Sequence, residues 1–244
     1  MKSIILLISS MFSLGVAAQN LAREITYGAM AGGIYSKMNQ LENAVIPQGI
    51  YRGYETKEKA NIGAMAGFFL NWKYPSEKFS IQPELYYTRQ KAELEYQDVK
   101  GLNYTIAMAY NHLNAGFLLK YYFTDGFYLG AGPYFTYNLT KDAMVYQSNG
   151  ETLAKQSGAY FEPDAVVQGT LKKAFEGKDY FHTTFALGYE FENGLNIGAR
   201  YHLGLSDALE TEANGHRFKN TNNKVNAISL QIGYRFNFDS YNNF

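Results

Sequence analysis

Alternation at period two, repeated along most of the chain, constrains this sequence more than any other feature. In ISLQIGYRFNF, residues 228–238, the positions Ile228, Leu230, Ile232, Tyr234, Phe236 and Phe238 alternate with Ser229, Gln231, Gly233, Arg235 and Asn237. Successive strand side chains point to opposite faces, so this segment is a strand with one apolar and one polar face. Seven further segments read the same way: 25–36, 61–74, 79–90, 103–123, 127–139, 181–191 and 195–205. Within 103–123 the phase reverses. From Leu113 to Phe123 the odd positions are apolar, whereas NYTIAMAY (103–110) runs in the opposite phase, which predicts a β-bulge near Asn111.

The connections fall into two kinds. YPSEK (74–78), FTDGF (123–127) and FENGL (191–195) are tight turns built from Pro, Asp, Asn and Gly. The alternate connections, roughly 38–59, 91–102, 141–179 and 206–224, are long. Strict alternation of short and long connections has no cause in a soluble sandwich, but it is the rule in outer-membrane barrels. The two faces agree with that choice. The polar face is mostly Gly, Ser, Asn, Thr and Tyr with a few charges, and the other is Phe, Tyr, Leu, Ile and Ala with aromatics near the strand ends. Hydrocarbon tolerates no open sheet edge, so such a sheet must close. The expected fold is all-β: an eight-stranded antiparallel up-and-down transmembrane β-barrel with its apolar face on lipid.

The N-terminus supports export. Lys2, the apolar run from Ile4 to Val16 and the small-residue site Val16-Ala17-Ala18 predict a signal peptide over 1–18, with the barrel domain over 19–244 in the outer membrane. The apolar run is shorter than the roughly 20 residues of a membrane helix. The absence of cysteine excludes disulfides and thiolate chemistry, and a formal net charge of zero argues against a nucleic-acid partner.

Several stretches carry a resemblance. IQPELYY, LLKYYF, FYLGAGPYFTY, ALGYEFENGLNIGARYHLGLSD and ISLQIGYRF are similar to the PorT-type outer-membrane β-barrel family of Bacteroidota, over about residues 24–238. The last strand resembles the insertion signal read by the barrel-assembly machinery, with Gln231, Gly233, Phe236 and Phe238 filling the pattern, although the six residues DSYNNF follow it. The resemblance implies an integral outer-membrane protein, and one named member of that family supports secretion and gliding.

Glu84, Lys120, Glu190, Arg200 and Arg235 all take lumen phases near the short-turn end. Charges in a narrow, low-dielectric interior must pair. They predict an internal ion-pair network that fills a barrel already narrow enough to be packed by its own side chains; a gated ion path is the alternative. His112, His182, His202 and His216 show no metal-ligand spacing, and Ser206 with His202 is a poor hydrolytic pair, so no catalytic residue, metal or cofactor is expected. The loop 141–179, with Tyr146, Tyr160 and Phe161 and a short helix expected in 169–179, is the main candidate for contact with a surface partner or glycan. The reading is a monomeric barrel with structural or partner-binding surface loops. A small channel or secretion component is the alternative, and a membrane-embedded lipid hydrolase is the weaker one. The expected partners are outer-membrane lipid, the assembly machinery and an unidentified surface or secretion component.

Overall fold

The computed structural model describes residues 25–45, 53–73, 78–140, 144–213, 216–217 and 222–236. The expected signal segment, positions 74–77 of the first short turn, the His216 side chain, Phe238 and the tail after it lie outside that description. The strands are β1 (Ile25–Met38), β2 (Tyr54–Lys59), β3 (Asn61–Lys73), β4 (Phe79–Asp98), β5 (Asn103–Tyr122), β6 (Phe127–Asn138) and β7 (Met144–Ser148). They continue with β8 (Phe175–Gly177), β9 (Tyr180–Glu190), β10 (Leu195–Gly204), β11 (Leu209–Ala213), β12 (His216–Arg217) and β13 (Val225–Phe236). Three short helices, α1 (Leu41–Val45), α2 (Gly150–Ser157) and α3 (Asp164–Ala174), lie in the long connections.

Eight strands close on themselves in the antiparallel order β1, β3, β4, β5, β6, β9, β10, β13 and back to β1. Register partners lead from Ile25 through Trp72, Ile81, Leu119, Ala131, Phe185, Tyr201 and Ile228 back to β1 at Tyr35, ten residues further along. That stagger tilts the strands and sets the width of the ring. Closure leaves these strands without a free edge. Outside the ring β2 extends β3 along β4, and β7 extends β6 along β5.

The long-loop end differs from the expectation. The β4–β5 pairing runs unbroken from Phe79–Tyr121 to Gln97–Asn103, so 91–102 is mostly strand and there is no bulge near Asn111. The phase reversal has another cause. On β4 and β5 the outward positions are apolar up to Tyr87 and Leu113; then come the register partners Arg89 and Asn111, and beyond them Lys91, Glu93, Glu95 and Gln97 on β4 and Ala109, Ala107, Thr105 and Asn103 on β5. Inward positions change at the same level, from Glu84, Thr88, Asn114 and Lys120 interleaved with Tyr86, Leu118 and Tyr122 to the uniformly apolar Ala92, Leu94, Ile106 and Met108. Below this level hydrocarbon lies outside, and the polar groups turn inward. Above it water lies outside, and the apolar groups form an ordinary core. The extra residue lies instead in the neighbouring strand. Lys59 faces Glu93 and Ala64 faces Arg89, so five residues on one side span four on the other, and the inward phase changes from even in β2 to odd in β3.

The apolar core of the long-loop end joins Met38, Leu94, Ile106 and Met108 to Leu41 of α1, Phe175 of β8 and Leu209 of β11. Around the opposite rim runs a band of touching aromatics, including Phe79–Tyr121, Tyr121–Phe123, Tyr189–Phe191 and Tyr234–Phe236. Such bands mark the edge of a hydrocarbon layer.

Candidate functional site

The interior of the ring near the short turns holds the charged residues. Glu84 on β4 faces Arg200 on β10, with Nη1–Oε2 at 2.5 Å and Nη2–Oε1 at 2.7 Å; both side chains are fully buried. This two-pronged geometry is the strongest form of a carboxylate–guanidinium contact. Gln82 Nε2 donates to Glu84 Oε1 at 2.6 Å and the Tyr134 hydroxyl donates to Oε2 at 2.7 Å. Lys120 on β5 donates to the Gln82 side-chain amide oxygen and to Glu190 Oε1, the latter at 2.7 Å, and its ammonium lies 4.1 Å from the centre of the Tyr128 ring. Glu190 also accepts the Tyr122 hydroxyl at 3.1 Å and stands 3.8 Å from Arg235, whose side chain keeps 25% exposure at the rim. The five charges thus form one chain through Gln82, and each carboxylate faces at least one cation.

Sequence reasoning picked out the charges but not Gln82, Tyr122, Tyr128 and Tyr134, which complete the chain. Their inward phase was the available signal. Gly116 gives the Tyr134 ring its place, since a Cβ there would lie 2.5 Å from the ring. Of the last-strand signal residues, Gln231 is buried inside the ring and Phe236 is exposed on its outer rim.

A layer of histidines lies above the charges. His182 stacks on Tyr134 with ring centres 5.2 Å apart and faces His202 at 5.5 Å. His202 contacts Ser229 Oγ at 2.9 Å and Thr184 Oγ1 at 3.0 Å. Ser206 is not its partner; the Ser206 hydroxyl accepts the Phe181 N–H at 2.9 Å. The His202–Ser229 contact has no carboxylate beside it and is sealed inside the ring. No metal-binding cluster occurs among the described residues.

The described residues of the long-loop end include further strands and helices. Tyr54, Tyr96, Tyr104 and Tyr146 form a ladder across β2, β4, β5 and β7, with successive ring centres 5.3, 4.4 and 5.3 Å apart. Burial first, and the Glu42 carboxylate second, raise the Tyr54 phenol above its ordinary range. In the expected loop 141–179, β7 lengthens the sheet and α3 lies over its edge. Tyr160 is exposed, whereas Tyr146 and Phe161 are half-buried.

Residues 17–210 match the family described as "Outer membrane protein beta-barrel domain". The chain belongs to this family, and its place is the outer membrane. No curated protein matches the sequence. Among solved structures it is similar to Ail, the attachment invasion locus protein of Yersinia pestis, at 11% identity and TM-score 0.38, covering 87% of this chain and 99% of that one. OprG from Pseudomonas aeruginosa matches at 13% identity and TM-score 0.39, covering 88% and 95%. AlkL, solved in lipid bilayers, matches at 13% and 0.39, covering 87% and 92%.

Proposed function

We propose that this barrel is closed to ions by its own side chains and serves as a rigid carrier for a folded, partner-binding outer end. The observation that carries the reading is the buried chain from Arg200 through Glu84, Gln82, Lys120 and Glu190 to Arg235, which crosses the interior near the short turns. The apolar core of the outer end forms a second barrier above it. Two cavities in the interior, one beside His182 and His202 and one beside Tyr110 and His112, have about 10 Å³ each, room for a single water. On this reading the His202–Ser229 contact is structural, since both residues are buried inside the ring. The stretches similar to the PorT type support placement in that branch, with export through the N-terminal signal. A gated channel is the second reading, favoured by the buried Asn71, Asn196 and Gln231 side-chain oxygens, which have no protein partner and suit water.

Planar-bilayer recording tests the choice. The purified protein is expected to give no conductance steps at either polarity. Steps in the wild type that change in size with Arg200→Ala establish a pore instead.

A further inference from the structure

Outside the membrane, the paddle formed by β2, β4, β5 and β7 carries a cavity of about 690 Å³ that no function above uses. Its walls are two rungs of outward side chains joined strand to strand by register. One rung runs Glu55–Gln97–Asn103 and ends at Asn149. The next runs Lys57–Glu95–Thr105–Gln147. Neighbouring strands lie about 4.8 Å apart, so four of them give a trough on the order of 14 Å long. The bulge between Lys59 and Ala64 lies just below, and a bulge bends the strand that carries it.

The chemistry of the walls is selective. The rung below the trough pairs Lys59 with Glu93, as an ordinary wet surface does. The trough itself collects the amides of Gln97, Asn103 and Gln147 and the Thr105 hydroxyl, while the Asn149 amide at its end is spent on Gly101 O and the Asn103 N–H. Amides present donors and acceptors together, which suits groups that both give and accept hydrogen bonds. Its charges are one lysine against two glutamates, and Glu95 already holds Lys59, so polyanions gain nothing here. The backbone of β4 and β5, the floor of the trough, is spent on its own ladder, so a peptide lying across that floor finds no main-chain partners there. The Tyr96 and Tyr104 rings lie face to face, 4.4 Å apart and 10° from parallel, so that contact is not open to a ligand. We propose that this trough binds a neutral, hydroxyl-rich polysaccharide lying across the four strands, held by amide and carboxylate hydrogen bonds. The proposal rests on the reading of the outer end as a partner-binding surface and names the partner's class.

The test uses the full mature chain refolded in detergent. Three materials are offered: an array of exogenous neutral oligosaccharides, the neutral surface polysaccharide of the producing cell, and a heparin hexasaccharide. Binding is expected to at least one neutral glycan, and the arm that responds identifies the source. Gln97→Ala with Asn103→Ala is expected to weaken it about ten-fold, the loss from one or two hydrogen bonds, while Lys172→Ala on α3 leaves it unchanged. No neutral glycan bound, binding to heparin alone, or full binding by the double variant overturns the proposal. These outcomes are independent of the bilayer recording: a silent array beside a silent bilayer rejects the trough alone, and conductance steps beside glycan binding reject the closed lumen alone.

Discussion

The two halves of β5 are one continuous strand built on opposite plans. From Asn111 to Tyr121 its outward side chains include Leu113, Phe117 and Leu119, and its inward ones include His112, Asn114 and Lys120. From Asn103 to Tyr110 the outward side chains include Asn103 and Thr105, and the inward ones are Tyr104, Ile106, Met108 and Tyr110. The backbone register does not change across the junction. The solvent outside the strand decides which face is apolar. The lower half needs internal polar pairing because lipid already takes its apolar face, and the upper half needs an internal apolar core because water takes its polar face.

The largest expected effect separates the ion pairs of the two halves. Arg200→Ala strands the Glu84 carboxylate in the interior, and breaking a buried pair in this way costs about 3–5 kcal/mol. Replacing both partners, with Glu84→Gln and Arg200→Met, is expected to recover most of that loss. Lys59 in the upper half serves Glu93 and Glu95 but keeps 39% side-chain exposure, so Lys59→Ala is expected to cost under about 1 kcal/mol. Denaturant unfolding of the protein in lipid vesicles measures all three. Equal losses for Arg200→Ala and Lys59→Ala break the comparison.

The second effect reads the outer surface directly. Phe117 and Thr105 point outward from the same strand, one from each half. Phe117→Arg is expected to destabilise by about 2–4 kcal/mol, the cost of an arginine facing mid-bilayer lipid. Thr105→Arg places the same group in water and is expected to stay within about 0.5 kcal/mol. Insertion and unfolding in vesicles, measured side by side, sharpen the position of the boundary. A comparable loss at Thr105 moves that boundary above the Arg89–Asn111 level.

The lower half was legible in the sequence because lipid makes alternation unambiguous: the segments 61–74, 127–139 and 195–205 match β3, β6 and β10 to within about a residue at each end. The connection expected at 91–102 and the bulge expected near Asn111 were misread for the same reason, although 103–110 is strand as expected. The alternation over 91–110 is equally regular, but apolar side chains face inward there, and a change of solvent resembles a change of register. The five charges were visible as lumen positions. That Glu84 meets Arg200, 116 residues away, depends on the stagger of the closed ring, which no single segment encodes. The helix expected within 169–179 begins earlier, at Asp164 just after Pro163, and gives way to strand at Phe175. Its purpose is set by a strand that precedes it, β7.

That strand supplies the smallest test of the comparison. The lower half has no free edge, since the ring closes. In the upper half β7 pairs with β5 alone among the described residues, and the N–H groups of Tyr146 and Ser148 point away from it. Those two donors are taken by α3: Gln168 Oε1 accepts Tyr146 N–H at 3.1 Å and Asp164 Oδ2 accepts Ser148 N–H at 2.8 Å. One helical turn advances about 5.4 Å and two strand residues about 6.6 Å, so side chains four apart on α3 can serve alternate amides of β7. The helix thereby covers an edge on which a second chain could build. Gln168→Ala is expected to cost about 1 kcal/mol locally and to speed hydrogen exchange at the Tyr146 amide about five-fold, with Gly130 in β6 of the closed ring unaffected. Unchanged exchange at Tyr146 means that this edge is protected by something other than the helix, and that the two halves do not differ in the way their strand edges are closed.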